Sequence, residues 1–225
     1  ALQVGDSTAV WGDVYKNSWF TNNVYRNSSS NEVYINASYA SEITMTNGGI
    51  MNFKVAPSGS ADATIGWTTA MQIHNNGVVS AGAGIALGVG TANTASNVLD
   101  DYEEGDLSLG ITTGTASFAY ARYTKIGNSV TVRFNLHTIS EQSSTGTLIL
   151  TGLPFTSSGA NQASQGIMGR YFNGGGDAIV AYIGAGETRI QFFQTNQGSN
   201  YSSVRYADLN NSSANLFATI TYESA

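Results

Sequence analysis

The chain contains no cysteine, only two prolines, and few charges of either sign. Without cysteine there is no disulfide framework and no thiolate metal site. With Pro57 and Pro154 as the only prolines, chain reversals must be made by Gly and Asn. Charged residues make up 11% of the 225 residues, against about 25% in an ordinary globular protein. Nine Lys and Arg stand against 15 Asp and Glu, for a net charge of −6. Binding to a phosphate backbone needs clustered cations, so no nucleic-acid partner is expected. No apolar run approaches the roughly 20 residues of a membrane-spanning helix, so no membrane insertion is expected. The sequence starts without Met and without a basic-then-apolar leader, which fits an excised C-terminal fragment of a longer protein.

Short uncharged polar side chains fill the place of the missing charges: 21 Asn, 26 Ser and 23 Thr, beside 26 Gly. Aromatics at 11% and regular apolar alternation exclude a disordered polar tract. The expected fold class is all-β. Glu42-Ile-Thr-Met-Thr46, the turn Asn47-Gly48-Gly49, then Met51, Phe53 and Val55 alternating with Asn52 and Lys54 predict a hairpin. In Glu32 to Asn36, alternation places Val33 and Ile35 on one face and Tyr34 on the other. Met71 and Ile73 alternate with Gln72 and His74 into a second turn, Asn75-Asn76-Gly77, where Asn and Gly tolerate positive φ.

The character of the chain changes over residues 67–105. The second hairpin passes into an Ala/Gly run, 81–90, then a polar linker, then Asp100, Asp101, Glu103 and Glu104. A boundary is therefore expected at 98/99. Residues 1–98 are expected to form a module of small β-hairpins with few large aliphatics, and such small cores usually gain stability by self-association. The Ala/Gly run is either a flexible linker or a place where small side chains let backbones meet at a shared axis. Residues 99–225 carry longer strands. Val130, Val132, Phe134 and Leu136 share one face, with Thr131, Arg133, Asn135 and His137 on the other. Ala178 to Ile183 pairs with Thr188 to Phe193 through Gly184-Ala-Gly-Glu187, and Leu216, Ala218, Ile220 and Tyr222 close the chain. Six to eight such antiparallel strands predict a two-sheet β-sandwich, jelly-roll-like in form.

Two blocks of residues resemble the distal parts of tail fibres of tailed bacteriophages. The first is Val24-Tyr25, Ala37-Ser-Tyr-Ala-Ser41, Thr46-Asn-Gly-Gly49, Val55-Ala-Pro-Ser-Gly59, Trp67-Thr-Thr-Ala-Met71 and Ile73-His-Asn-Asn-Gly77, similar to a shaft or neck module. The second is Asn97-Val-Leu-Asp-Asp-Tyr-Glu-Glu-Gly105, Tyr120, Tyr123-Thr-Lys-Ile-Gly-Asn128 and Thr151-Gly-Leu-Pro-Phe155, similar to the opening of a C-terminal receptor-binding head. Gly105-Asp-Leu-Ser-Leu109 stands where that head family often has an aromatic and a Pro. The resemblance implies a homotrimer on the virion that binds a bacterial surface glycan or outer-membrane receptor. Other virion tail proteins would be reached through a missing N-terminal region.

Three constellations bear on chemistry. The acidic cluster lacks the Gly turn of a calcium loop, and strand alternation splits its carboxylates between two faces, so a solvated edge is the favoured reading. His74 and His137 are far apart without carboxylate companions, and no metal or other cofactor is expected. Loops late in the second module carry aromatics and planar amides of the kind that lie under sugar rings and bond to hydroxyls. There the candidate receptor contacts are Tyr171, Asn173, Asp177, Gln194, Asn196, Gln197, Asn200, Tyr201 and Arg205, with the 194–205 loop as the leading group. The expected function is attachment without catalysis. The alternatives are a tailspike-type glycan depolymerase, which needs two carboxylates about 5–10 Å apart, and a bacterial lectin or adhesin.

Overall fold

The structure, a computed structural model, describes residues 2–5, 7–86, 98–99, 101–164, 166–172, 178–209 and 214–225. It is all-β, with several antiparallel sheets. The chain divides into two compact units, Ala1–Val98 and Leu99–Ala225.

The first unit contains β1 (Leu2–Val4), β2 (Thr8–Gly12), β3 (Ser18–Asn22), β4 (Val24–Arg26), β5 (Glu32–Tyr34), β6 (Ser38–Met45), β7 (Met51–Gly59), β8 (Thr68–Ile73) and β9 (Val79–Ala81). Seven of these form one sheet in the order β1-β2-β3-β6-β7-β8-β9. β4 and β5 make a separate ribbon. The β6–β7 turn has Gly49 at φ 73° and the β8–β9 turn has Gly77 at φ 84°, a backbone that side chains with a Cβ resist.

Which face of this sheet is covered departs from what alternation alone suggests. The inward rows are polar: Ala9, Thr21, Glu42 and Lys54 are paired strand to strand, and beside them Trp11, Trp19, Thr44, Asn52 and Gln72. Glu42 is only 3% exposed. Its Oε1 accepts hydrogen bonds from Lys54 Nζ at 2.7 Å and Thr44 Oγ1 at 2.8 Å. Gln72 Nε2 donates to Asn52 Oδ1 at 2.6 Å, and Thr21 Oγ1 donates to the Ala9 carbonyl at 3.1 Å. These partners satisfy most of the buried polar groups, while Glu42 Oε2 and Trp11 Nε1 are buried without a hydrogen bond. Over this face lie a small core of Val24, Tyr34, Ala40, Ala56 and Ile65, with Trp11 and Trp67 packed on it. Arg26 caps the Trp19 ring at 4.5 Å.

β5 shows the same departure on a smaller scale. Val33 and Tyr34 are both buried rather than split between an inner and an outer face. The Tyr34 hydroxyl donates to the Pro57 carbonyl at 2.6 Å. Its ring lies so close to Gly59 that a Cβ there would come within 2.2 Å. At Val33 and Tyr34 the chain is covered on both sides, so alternation cannot sort these two residues.

After the short strands β10 (Ile85–Ala86) and β11 (Val98–Leu99), the second unit begins. Its strands are β12 (Tyr102–Asp106), β13 (Gly110–Ile111), β14 (Ala116–Ile126), β15 (Ser129–Ile139), β16 (Ile149–Thr151), β17 (Gln162–Ser164), β18 (Ile167–Arg170), β19 (Ala178–Ile183), β20 (Arg189–Thr195), β21 (Ser202–Ser203) and β22 (Asn215–Glu223). A 3-10 turn spans Tyr206–Asp208. One sheet runs β12-β14-β15-β22-β18, the other β13-β16-β20-β19-β17 with β21 added to β20. Inward side chains of both sheets meet in one core: Val130, Val132, Phe134, Leu136, Leu216 and Ile220 from the first, Leu150, Ala181, Ile183, Ile190 and Phe192 from the second. Each large aliphatic or aromatic here is nearly or fully buried, a contribution of roughly 1.5–3 kcal/mol apiece. The Ala/Gly run is described only as far as residue 86, so its role as linker or axis lies largely outside the described residues.

Candidate functional site

The outward face of the sheet that opens the second unit carries chemistry in three cross-strand rows. The two-residue turn Gly127-Asn128, with Gly127 at φ 57°, fixes the β14–β15 register. That register sets Arg122 directly opposite Arg133, and β12 adds Asp106 while β22 adds Thr219. Beside this row run Glu104, Thr124, Thr131 and Thr221. On the other side run Tyr120, Asn135, Phe217 and Met168. Residues of the first two rows, with Tyr120, line a shallow hollow of about 420 Å³.

The charges in this hollow are unevenly matched. Arg122 Nε donates to Asp106 Oδ1 at 3.0 Å, and both side chains stand mostly in solvent. Arg133 has no ion-pair partner among the described residues. Like charges directly opposite on a sheet are unfavourable, and a single carboxylate offsets one of the two guanidinium groups. A ligand anion seated between them would relieve that repulsion, with the Thr124 and Thr131 hydroxyls and the Tyr120 ring alongside. Guanidinium forks suit carboxylate and phosphate.

The acidic cluster contributes to this edge through its alternation. Glu104 and Asp106 share the outward face, while Glu103 lies opposite Lys125, which is buried. Lys125 pairs with Asp101 and its ammonium sits 5.2 Å over the Phe155 ring. Tyr102 donates its hydroxyl to Glu104 at 2.8 Å, and Tyr123 donates to Glu103. Those hydrogen bonds hold both phenols above their ordinary pKa, so they remain neutral donors. Each described carboxylate of the cluster is thus engaged by a neighbour. Asp100 lies outside the described residues. No group of three or more His, Asp or Glu with metal-holding geometry occurs among the described residues. His74 Nε2 is 3.1 Å from Ser80 Oγ, and His137 Nδ1 is 3.0 Å from Thr138 Oγ1.

The loop candidates separate. Asn196, Gln197, Asn200 and Tyr201 come together in the turn between β20 and β21. Asn196 Nδ2 donates to the Asn200 carbonyl at 3.3 Å, closing that turn. Tyr201 is 70% exposed and edge-on to Phe193 at 5.0 Å, which in turn meets Tyr182 at 5.6 Å. This aromatic run is a second platform on which a sugar ring could lie. Gln194 is only 4% exposed and pairs with Ile179 in β19. It faces inward one position from Phe193, so it offers no surface to a ligand. Arg205 is exposed and its backbone N–H is held by Asp208 at 2.7 Å. Tyr171 follows β18, with the Arg170 guanidinium 4.4 Å over its ring. Asn173 and Asp177 lie outside the described residues.

Sequence reading passed over Tyr120, Arg122 and Arg133 as sites, though a signal was present. Reflection about a two-residue turn at Gly127-Asn128 pairs Arg122 with Arg133 and Tyr120 with Asn135. Compared with known proteins, the chain matches no protein-family model, no curated protein and no solved structure.

Proposed function

We propose that this chain is the distal part of a bacteriophage tail fibre, in which the second unit is a jelly-roll-like head that binds a bacterial surface glycan without catalysis. The first unit is the shaft or neck that gathers three chains, so that three heads engage one surface. Multivalent contact of this kind raises avidity by about 10²–10⁴ over a single weak site. The virion would be its location.

The observation that carries the reading is the open row Asp106–Arg122–Arg133 with Tyr120 and Thr131 beside it. An exposed aromatic, hydroxyls and a partly uncompensated guanidinium pair are what an acidic sugar requires. The Tyr201 turn offers a further contact on the opposite sheet of the same unit.

Adsorption of the labelled 225-residue chain to a panel of bacterial cells, before and after their surface glycans are stripped, tests the proposal. Retention should fall on stripped cells, and R122A/R133A should weaken it by roughly 10–100-fold, the worth of one charge-assisted hydrogen bond. Unchanged retention on stripped cells would sink the glycan reading. Release of reducing ends from the isolated polysaccharide would instead make the chain a depolymerase.

A further inference from the structure

The first unit leaves its apolar face open. Leu2, Val10, Phe20, Ile43, Phe53, Met71 and Ala81 form a single row, one residue from each of seven consecutive strands, every neighbour directly paired. A second row on the same face holds Met45, Met51, Ile73 and Val79. A third centres on Val55 with Ser41 and Thr68. Phe20 is 51% exposed and Val55 49% exposed. Phe20, Ile43, Phe53 and Val55 border a hollow of about 290 Å³. The sheet has therefore turned its polar rows inward and its apolar rows out.

We propose that this face is the surface on which copies of the chain join, each packing its rows against the same rows of another copy. Two features select that occupant. None of the residues named on the face is charged, although the chain carries −6 overall, so a second copy meets no like charge and no unpaired ion is buried. The area is also sufficient. Six strand spacings of about 4.8 Å and three rows about 6.7 Å apart, with side-chain margins, give about 700 Å², near the roughly 800 Å² per partner of a stable interface. Face-to-face sheets about 10 Å apart are an established way to bury such rows. The inference rests on the fibre reading only for the number of copies.

Light scattering of the whole chain, wild type and F20E/F53E, is the first measurement. The wild type should have the mass of several copies, and the variant should fall to the 23.6 kDa of one chain with its far-UV spectrum kept. Because the chain has no cysteine, Ile43→Cys in an otherwise unchanged chain provides a second readout that does not depend on the charged variant folding. A bismaleimide spanning about 10 Å, the sheet-to-sheet distance, should join Ile43→Cys chains into covalent pairs, since each chain carries a single thiol. Ser29→Cys, on the exposed β4–β5 turn, should stay single. A single-chain wild type, an F20E/F53E variant that keeps the multimeric mass, or absent Ile43→Cys cross-links would each overturn the proposal. A two-chain species keeps the face and removes the three-headed reading. Failed glycan adsorption by an intact multimer sinks the receptor reading and leaves the face standing.

Discussion

The two units use the same strand alternation in opposite senses. In the second unit, Val130, Val132, Phe134 and Leu136 point into a core shared by two sheets, and Thr131, Arg133 and Asn135 face out. In the first unit, Thr21, Glu42, Thr44 and Asn52 point in, while Phe20, Ile43 and Val55 face out. A period of two residues says which side chains share a face and nothing about which face is covered. Coverage depends on what lies opposite. The second unit supplies a second apolar sheet, whereas in the first unit the inward polar side chains bond to one another within the sheet, Lys54 and Thr44 to Glu42 and Gln72 to Asn52.

Truncation should separate the two senses most sharply. Phe134 is fully buried and edge-on to Phe118 at 6.4 Å. Phe134→Ala should cost about 3–5 kcal/mol of the second unit's stability in urea unfolding. Phe53→Ala, on the open face, should cost the dissociated chain less than about 1 kcal/mol. Equal losses at the two positions in dilute protein would mean that the face of the first unit is already covered within one chain.

The next contrast concerns ion pairs. Glu42→Ala removes the acceptor of Lys54 Nζ and Thr44 Oγ1 in a buried setting, and Lys54 itself is mostly covered. The expected cost is about 2–3 kcal/mol, below the full loss for a deeply buried pair because part of the ammonium still reaches water. Lys54→Met in that background should restore part of it, a coupling of about 1–2 kcal/mol in a double-mutant cycle. Asp106→Ala, which breaks an exposed pair of the second unit, should move stability by no more than about 1 kcal/mol. If the two deletions cost the same, the inward polar face of the first unit is more hydrated than its hydrogen bonds indicate.

Much of this architecture was legible before any coordinates. The turns at Asn47-Gly48-Gly49, Asn75-Asn76-Gly77, Gly127-Asn128 and Gly184 to Glu187 are read from residues that tolerate positive φ. The strands they join follow in register. The inward face of β15 and of the closing strand β22 is likewise written in their alternation. What could not be read is the side on which Glu42 and Thr44 lie, since Lys54, the cation that pairs with Glu42, stands on another strand. The candidate site was partly hidden for the same reason. Arg122 and Arg133 are eleven positions apart in sequence, and only pairing makes them neighbours. Gln194 had the right side chain for a sugar contact, but sits one residue out of phase with the exposed face that holds Phe193 and Gln191.

The inward packing of the second unit can also be probed by pH. Tyr222 on β22 is 2% exposed, and its hydroxyl donates to the Phe155 carbonyl at 2.9 Å. Burial pushes this phenol from its ordinary value near 10 up to about 12. Between those values the unfolded chain releases the proton and the folded chain keeps it, so stability falls as pH rises. Below about pH 10 the term is fully present, and at pH 11 about 1.4 kcal/mol of it should be gone. Tyr222→Phe cannot ionise there. It should be less stable than wild type by about 1 kcal/mol at pH 8, for the lost hydrogen bond, and about equal to it at pH 11. Urea unfolding of both proteins across pH 8–11 measures that convergence. Parallel curves would mean that water reaches Tyr222 and the end of the core in which it sits.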